Sequence, residues 1–451
     1  MALKHTRGRS QLKREFMASA ESETAADLEG RTIRKVMWRL LPLTGMLYLL
    51  AYLDRVNIGF AALTMNADLQ LTATAYGFAA GIFSLGYVLF EVPSNIMLAK
   101  FGARKWISRI MVSWGLVSAA TALAQGPASL ATCRFVLGVA EAGLLPGVVF
   151  YLAQWIPTAR RARVMSGFFM ALPLAFIIGA PASTAMLGLD WFDLRGWQLM
   201  FIVEGTMTVL MGVVVFFVMT DRPEDAQWLK PDERQWLAAT MRAEYEARGG
   251  AAVASVRHGL ANPAVILLGV TYAGAIAASA SFGFWLPLII KSLGGLSNFQ
   301  VGLITAVPYI LAITAMAPWS RRADATGRLT FHVCAPMALA AIGFLLAALV
   351  ADPRVMVLLI GFNVVCIYLV PPVFWTMATR TLNGPAAAGT ALINSIASLG
   401  SYFGPQVLGY LKDSTGSFGP GLMSLSGALA LAAALGAWLG RNKSSRCEAK
   451  V

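Results

Sequence analysis

The chain is poor in charge, in cysteine and in histidine, and each shortage closes off a class of protein. Asp, Glu, Lys and Arg make up 13% of its 451 residues, against roughly 25% in a soluble domain. Hydrophobic residues reach 57% and the mean hydropathy is +0.64, which excludes an ordinary water-soluble fold. The four cysteines, Cys133, Cys334, Cys366 and Cys447, lack CxxC spacing and histidine companions. That argues against a disulfide framework or a metal site. The three histidines, His5, His258 and His332, fall outside the deep parts of the apolar runs, so a histidine proton relay is not expected. There is no nucleophile elbow, phosphate loop or metal constellation, and neither enzyme chemistry nor a cofactor is expected.

What the chain has instead is apolar stretches long enough for tilted membrane helices. They fall near 37–60, 75–98, 105–124, 129–152, 163–187 and 196–219, then near 263–290, 298–319, 329–350, 354–378, 386–411 and 419–440. The expected fold is an all-α integral membrane protein with twelve transmembrane helices in two six-helix bundles, 37–219 and 263–440. Polar tails at 1–36 and 441–451 flank them, and a charged, helix-forming connector at 220–262 joins them. Its Trp228 and Trp236 are expected to lie on the membrane surface. The N-terminus reads as a polar tail without a cleavable signal, and Met17 is a candidate alternative start.

Basic residues set the orientation. They gather in the tails, the connector and the even-numbered loops, whereas the odd-numbered loops hold Arg195, Lys291, Arg354 and Lys412. Both termini are thus expected in the cytoplasm. The net charge of +13 reflects topology and implies no nucleic-acid partner.

The two halves echo each other. "AKFGARKWISR" (99–109) follows the second stretch and "RRADATGRLTF" (321–331) follows the eighth, each a glycine turn with basic neighbours. "IIGAPAS" (177–183) and "YFGPQVL" (402–408) place Gly/Pro interruptions at matching positions. Parallel repeats with broken helices near a central site are a transporter architecture. This pattern resembles the major facilitator superfamily. The loops are similar to its cytoplasmic GxxxDRxGRR motif, with Ala99 in place of the usual Asp and Asp324 and Gly327 retained. "YLDRVNIGFA" (52–61), "RFVLGVAEAGLLPGVVFYLAQWIP" (134–157) and "DRPEDAQWL" (221–229) resemble its anion:cation symporter family. That resemblance implies carriage of sugar acids, tartrate, phthalate or hydroxyphenylacetate.

Charges inside the spans carry the function. Asp54 and Arg55 lie in the first, while Arg134 and Glu141 lie seven residues apart in the fourth, two turns along one helix face. Their blandest role is a buried ion-pair network that holds helices together. Yet intramembrane ionisable groups generally mark substrate or proton paths, and two acids with two bases exceed what packing requires. Arg55, a permanently charged fork, is the candidate ligand for a substrate carboxylate, and Glu141 the candidate proton carrier. Asp54 is expected to be held ionised by neighbouring Arg55 until substrate competes, with Arg134 as the switching partner. The resemblance likewise implies that Asp54 and Glu141 are the proton-coupling acids.

Tyr52, Tyr87, Trp375 and Asn394 are further substrate-site candidates. A lone aromatic in a span commonly packs or sits in the interface belt, whereas a mid-span amide such as Asn394 needs a partner. Glu91 with Arg104, and Asp324 with Arg328, are candidate gate residues at the cytoplasmic ends. Glu204 has no assigned partner.

Moving one anion inward against about 150 mV costs about 3.5 kcal/mol, excluding it roughly 300-fold, which favours proton symport, with Na+ coupling less favoured. The expected activity is proton-coupled uptake of an aromatic, hydroxy or sugar acid across the inner membrane by a monomer. The apolar "FFMALPLAF" (168–176) tips the choice toward an aromatic or small hydroxy-carboxylate. The alternatives are export or facilitated diffusion and, further off, a transporter-like receptor.

Overall fold

The computed structural model describes residues 2–158, 160, 171–189, 191, 193–247, 263–382 and 387–448; for 2–26, 245, 247, 387, 388, 391 and 442–448 it describes the backbone alone. The candidate start Met17, the first part of the 163–187 stretch and of "FFMALPLAF", His5, His258 and Cys447 therefore lie outside the described residues or their side chains. The described residues form helices: α1 (Ala2–Asp68), α2 (Ala73–Phe101), α3 (Ala103–Ala120), α4 (Pro127–Glu141), α5 (Leu144–Trp155), α6 (Ala171–Met186), α7 (Gly196–Val218) and α8 (Pro231–Ala247). The remainder are α9 (Pro263–Lys291), α10 (Asn298–Thr326), α11 (Leu329–Leu349), α12 (Pro353–Thr381), α13 (Ala387–Thr415) and α14 (Gly419–Glu448).

Ten helical segments among the described residues are long and apolar enough to cross a bilayer. Helix α6 is apolar but shorter. Helix α13 runs 29 residues, but Asn394, Ser395, Ser398, Ser401 and Gln406 make it less apolar than the ten. Side-chain caps start several helices, as expected where the first N–H groups lack intrahelical acceptors. Thr72 Oγ1 accepts from Ala75 N at 3.1 Å, and Asp352 Oδ1 from Arg354 N at 2.8 Å. The two glycine turns read in the sequence are present, with Gly102 at φ +87° between α2 and α3 and Gly327 at φ +66° between α10 and α11.

The helix interruption falls elsewhere than the Gly/Pro pattern suggests. Helices α6 and α13 pass through Pro181 and Pro405 without ending. Proline is tolerated in membrane helices where neighbouring groups re-satisfy the freed backbone. The fourth span is the one that breaks: α4 stops at Glu141, Ala142 is non-helical, Gly143 adopts φ +88°, and α5 begins at Leu144. The left-handed conformation suits glycine, and Pro146 lies in the first turn of α5, where no backbone donor is required. The chain thus bends immediately after its buried acid.

The helices α1–α7 and α9–α14 meet along three seams, α1 with α9, α2 with α13, and α6 with α10. These seams run close at the end that carries Asp413. There Asp413 accepts from Ala73 N at 3.0 Å and Thr74 N at 2.7 Å, and Tyr76 donates to Phe284 O at 2.9 Å. A Cβ added at Gly59 would lie 2.5 Å from the Gly283 carbonyl oxygen, and one at Gly77 2.5 Å from that of Pro405. Small residues allow this backbone approach. At the opposite end, α8 docks against α1 through Glu233, which accepts from Lys35 Nζ at 2.7 Å and Arg31 Nε at 2.9 Å. Trp228 stacks on Trp155, 5.5 Å between centroids, under the Arg39 guanidinium, and Trp236 packs on the same core. Both tryptophans are half-buried, with one side packed on protein.

Candidate functional site

Buried charge is confined to a few places among the described residues. Asp54, Arg134, Glu141, Glu204 and Glu233 are the buried acids and guanidinium, and all but Glu233 lie within apolar helices of the α1–α7 half. Arg55 retains 22% of its side-chain surface. Consecutive helical residues do not face each other, and this separates the Asp54–Arg55 pair that looks like a unit in the sequence. Arg55 turns toward α4, where its Nε and Nη2 lie 2.7 and 2.6 Å from Glu141 Oε1. Its guanidinium also sits 4.8 Å from the Tyr87 ring centroid, 5.2 Å from Tyr52 and 5.4 Å from Phe83, within cation–π range. Asp54 turns toward α3 instead. Its Oδ2 accepts from Trp114 Nε1 at 2.7 Å, and its Oδ1 accepts from Ser118 Oγ and from Asn57 Nδ2, the latter at 3.1 Å. The expectation that Arg55 holds Asp54 is corrected accordingly.

Arg134 and Glu141 both point into the core of α4, as their seven-residue spacing requires. Arg134 is wholly buried, and Nε, Nη1 and Nη2 all lack hydrogen-bond partners. It lies 5.1 Å from the Phe83 ring centroid and feels the charges of both Asp54 and Glu141. Glu141 Oε2 is likewise buried and unpartnered. A buried charge ordinarily needs pairing and hydrogen bonds, so Arg134 and Glu141 form an incomplete network, with one contact made by Arg55 and others open.

On the other side, Tyr52 packs edge-on against Tyr48 at 4.7 Å and faces Tyr272 and Tyr368 across the helix halves. Trp375 meets Tyr272 edge-on at 5.5 Å, and Tyr272 stacks on Phe374 at 4.3 Å. Tyr52, Trp375 and Asn394 are half-buried. Asn394 lends its backbone oxygen to Ser398 Oγ at 2.9 Å, while its side-chain amide makes no hydrogen bond with another described residue. Arg55, Tyr52, Tyr87 and Glu141 are therefore brought together, with Trp375 joined to them through Tyr272. Two cavities, of about 420 Å³ beside Arg328 and Arg380 and about 330 Å³ beside Arg34 and Trp38, lie at helix ends away from these residues. The charge cluster marks the candidate site.

The gate candidates are spread apart. Arg104 donates its backbone N–H to Asp221 Oδ1 at 2.8 Å and lays its guanidinium on Phe216, so it does not reach Glu91. The charge acting on Glu91 is that of Arg55. Asp324 and Arg328 are exposed and form no ion pair with each other. Sequence reasoning missed Asn57, Trp114, Ser118, Ser183, Tyr272 and Tyr368 and left Glu204 unplaced. Asn57 was findable, because it lies one helical turn after Asp54; the others meet the site only through tertiary packing.

Ten apolar segments long enough to cross a bilayer among the described residues, with charges buried in the α1–α7 half, fit a multi-pass membrane protein of the secondary-carrier kind. The family model for the Major Facilitator Superfamily matches residues 44–405, and the chain belongs to that superfamily. Among its relatives, an Agrobacterium vitis protein named "Putative tartrate transporter" is 49% identical, with 90% of this chain and 94% of that one covered. A quinolone resistance transporter of Acinetobacter baumannii is 40% identical over 89% and 93%. The inner membrane transport protein RhmT of Escherichia coli is 34% identical over 87% and 92%. Two solved structures share the fold at 16% identity and TM-score 0.69: a bacterial homologue of the lysosomal transporter Spinster, covering 89% of this chain and 96% of that one, and a D-xylose-proton symporter, covering 89% and 97%.

Proposed function

We propose that the protein is a proton-coupled symporter that takes up an organic carboxylate across the bacterial inner membrane, where its relative RhmT is placed by name. The proposed topology adds α6 and α13 to the ten long apolar segments, giving twelve spans in two six-helix bundles. Basic loops put both termini and the Asp221 end in the cytoplasm. The closely packed Asp413 end then faces outward.

The observation that carries the reading is the Arg55–Glu141 pair beside an unpartnered, fully buried Arg134. A substrate carboxylate that claims the partly exposed Arg55 displaces Glu141. The freed acid then pairs with Arg134 or takes a proton, since an ionised carboxylate without a partner is costly inside the bundle. Asp54, relieved of Arg134, takes a proton in turn. One anion and at least one proton thus enter the site together. Arg55, Tyr52 and Tyr87 bind the carboxylate, Trp375 and Asn394 the rest of the molecule, and Arg134 acts as the switching charge. The Agrobacterium vitis relatives favour a small hydroxy-dicarboxylate such as tartrate as cargo.

The Acinetobacter baumannii relative supports a second reading, export of an aromatic acid. Reconstituted vesicles loaded on one side at a time decide between them. Uptake driven by an inward proton gradient supports symport. Movement driven only outward against the gradient supports export, and a response to sodium alone removes the proton from the account.

A further inference from the structure

Glu204 on α7 is a buried acid without a cation. Its Oε1 accepts from Ser183 Oγ at 2.7 Å and its Oε2 from Asn57 Nδ2 at 2.9 Å. The same Asn57 nitrogen donates to Asp54 Oδ1 at 3.1 Å, so a single amide bridges two carboxyl groups. Asp54 and Glu204 are 1% and 4% exposed, and neither forms an ion pair within 4.0 Å among the described residues. Around them, α1 contributes Asp54 and Asn57, α3 contributes Trp114 and Ser118, and α6 contributes Ser183. The charged side chain that faces Glu204 is Asp54, while Arg134 from α4 acts on Asp54 and Glu141.

Charge counting shows a surplus. Three buried acids, Asp54, Glu141 and Glu204, face two guanidiniums, Arg55 and Arg134, and including half-buried Glu91 enlarges the surplus. Arg55 is committed to Glu141, and Arg134 lies in the fields of Asp54 and Glu141, which leaves Glu204 uncompensated. Two carboxylates that share a site cannot both ionise at ordinary cost.

We infer that Asp54 and Glu204 form a coupled acid pair that holds one resident proton on Glu204, which leaves Asp54 to take up and release the proton that moves in the transport cycle. The inference rests on the proton-symport reading for its role in transport, though not for the resident proton. Asn57 spaces the pair and relays nothing, because both its N–H hydrogens remain on nitrogen. The shared proton sits on Glu204 while Arg134 compensates Asp54. When Arg134 turns to Glu141, Asp54 takes up a second proton from the solvent side, and the pair releases it when the pairing reverts. Interacting acids of this kind titrate as a unit.

Two measurements test this. In purified protein at neutral pH, the infrared carbonyl band of a protonated carboxyl should be present, lost in Glu204→Gln and retained in Glu204→Asp. Absence of the band from the wild type, or its persistence in Glu204→Gln, overturns the pair. In proteoliposomes, Glu204→Gln places no charge beside Asp54, like the protonated acid it replaces, so the pH midpoint of gradient-driven uptake should stay within about 0.3 unit of wild type. A midpoint lowered by about one unit, the sign of an ionised neighbour removed, overturns the resident proton. A wild type without pH dependence overturns the symport reading, while the infrared result still stands or falls alone. If Glu204→Gln does not fold, Ser183→Ala removes the donor to Glu204 Oε1 and should shift the carbonyl band without abolishing it. An unshifted band overturns the assignment.

Discussion

The two helix groups differ in what they bury. In α1–α7 the core holds Asp54, Arg134, Glu141 and Glu204, with Asn57, Ser118 and Ser183 as hydrogen-bond partners. In α9–α14 the described core holds no buried acid or guanidinium. Its polar members are Thr271, Ser281, Thr305, His332, Asn363 and Ser426, and its centre is aromatic, with Tyr272, Tyr309, Tyr368 and Phe374. Charge responds to protons and to substrate charge, whereas stacked rings respond to shape. In the proposed symport cycle, this contrast assigns the coupling to the first group and the fit of the carboxylate to the second.

Substitutions that break the contrast rank by how much buried charge they disturb. The largest effect is expected from Glu141→Gln, which should reduce pH-gradient-driven uptake about 100-fold or more, since removing one partner of a buried pair costs about 3–5 kcal/mol. Counterflow should persist, and equal loss of both would assign Glu141 to structure alone. Next comes Arg55→Lys, which replaces a fork with a point charge. The half-saturation concentration should rise about tenfold, equivalent to about 1.4 kcal/mol; unchanged affinity in a transport assay removes Arg55 from the site. In the other group, Tyr368→Phe or Trp375→Phe should change affinities among a panel of carboxylates by a few-fold and leave the pH midpoint unmoved. A shifted midpoint would erase the division of labour.

The smallest effect is expected at the closely packed Asp413 end. Burial acts to raise the Asp413 carboxyl, but hydrogen bonds from Thr74, Ala73 and Thr72 outweigh it and hold it below the usual carboxylate range. A depressed acid stabilises the structure above its ordinary value and loses that contribution as pH falls through the lowered one. Asp413→Asn should therefore increase cysteine labelling of positions along the α2–α13 seam modestly at neutral pH and abolish any further rise on acidification. Labelling that rises with acid in the variant as in the wild type would contradict this role.

Much of the fold was legible because membrane helices announce themselves by length and hydropathy, and the Gly102 and Gly327 turns by a lone glycine between apolar runs. The charged residues of the candidate site were legible for a related reason, since Asp54, Arg55, Arg134 and Glu141 interrupt otherwise apolar runs. Their partners were not. Adjacency in sequence suggested Asp54 with Arg55, but the 100° step of a helix sends neighbours to different faces, and only packing reveals that Arg55 meets Glu141 and Asp54 meets α3. Glu204 was visible yet mute, because its partners come from α1 and α6. Proline in α6 and α13 pointed to breaks that those helices absorb, while the real break at Ala142–Gly143 depends on a positive φ that residue type permits without dictating.

The central claim is tested most directly by uptake of radiolabelled tartrate and other carboxylates into proteoliposomes, with an inward proton gradient and with the same gradient collapsed by an ionophore. The account predicts accumulation above the external concentration in the first case and equilibration in the second. Accumulation to the same level at the same rate in both would contradict it.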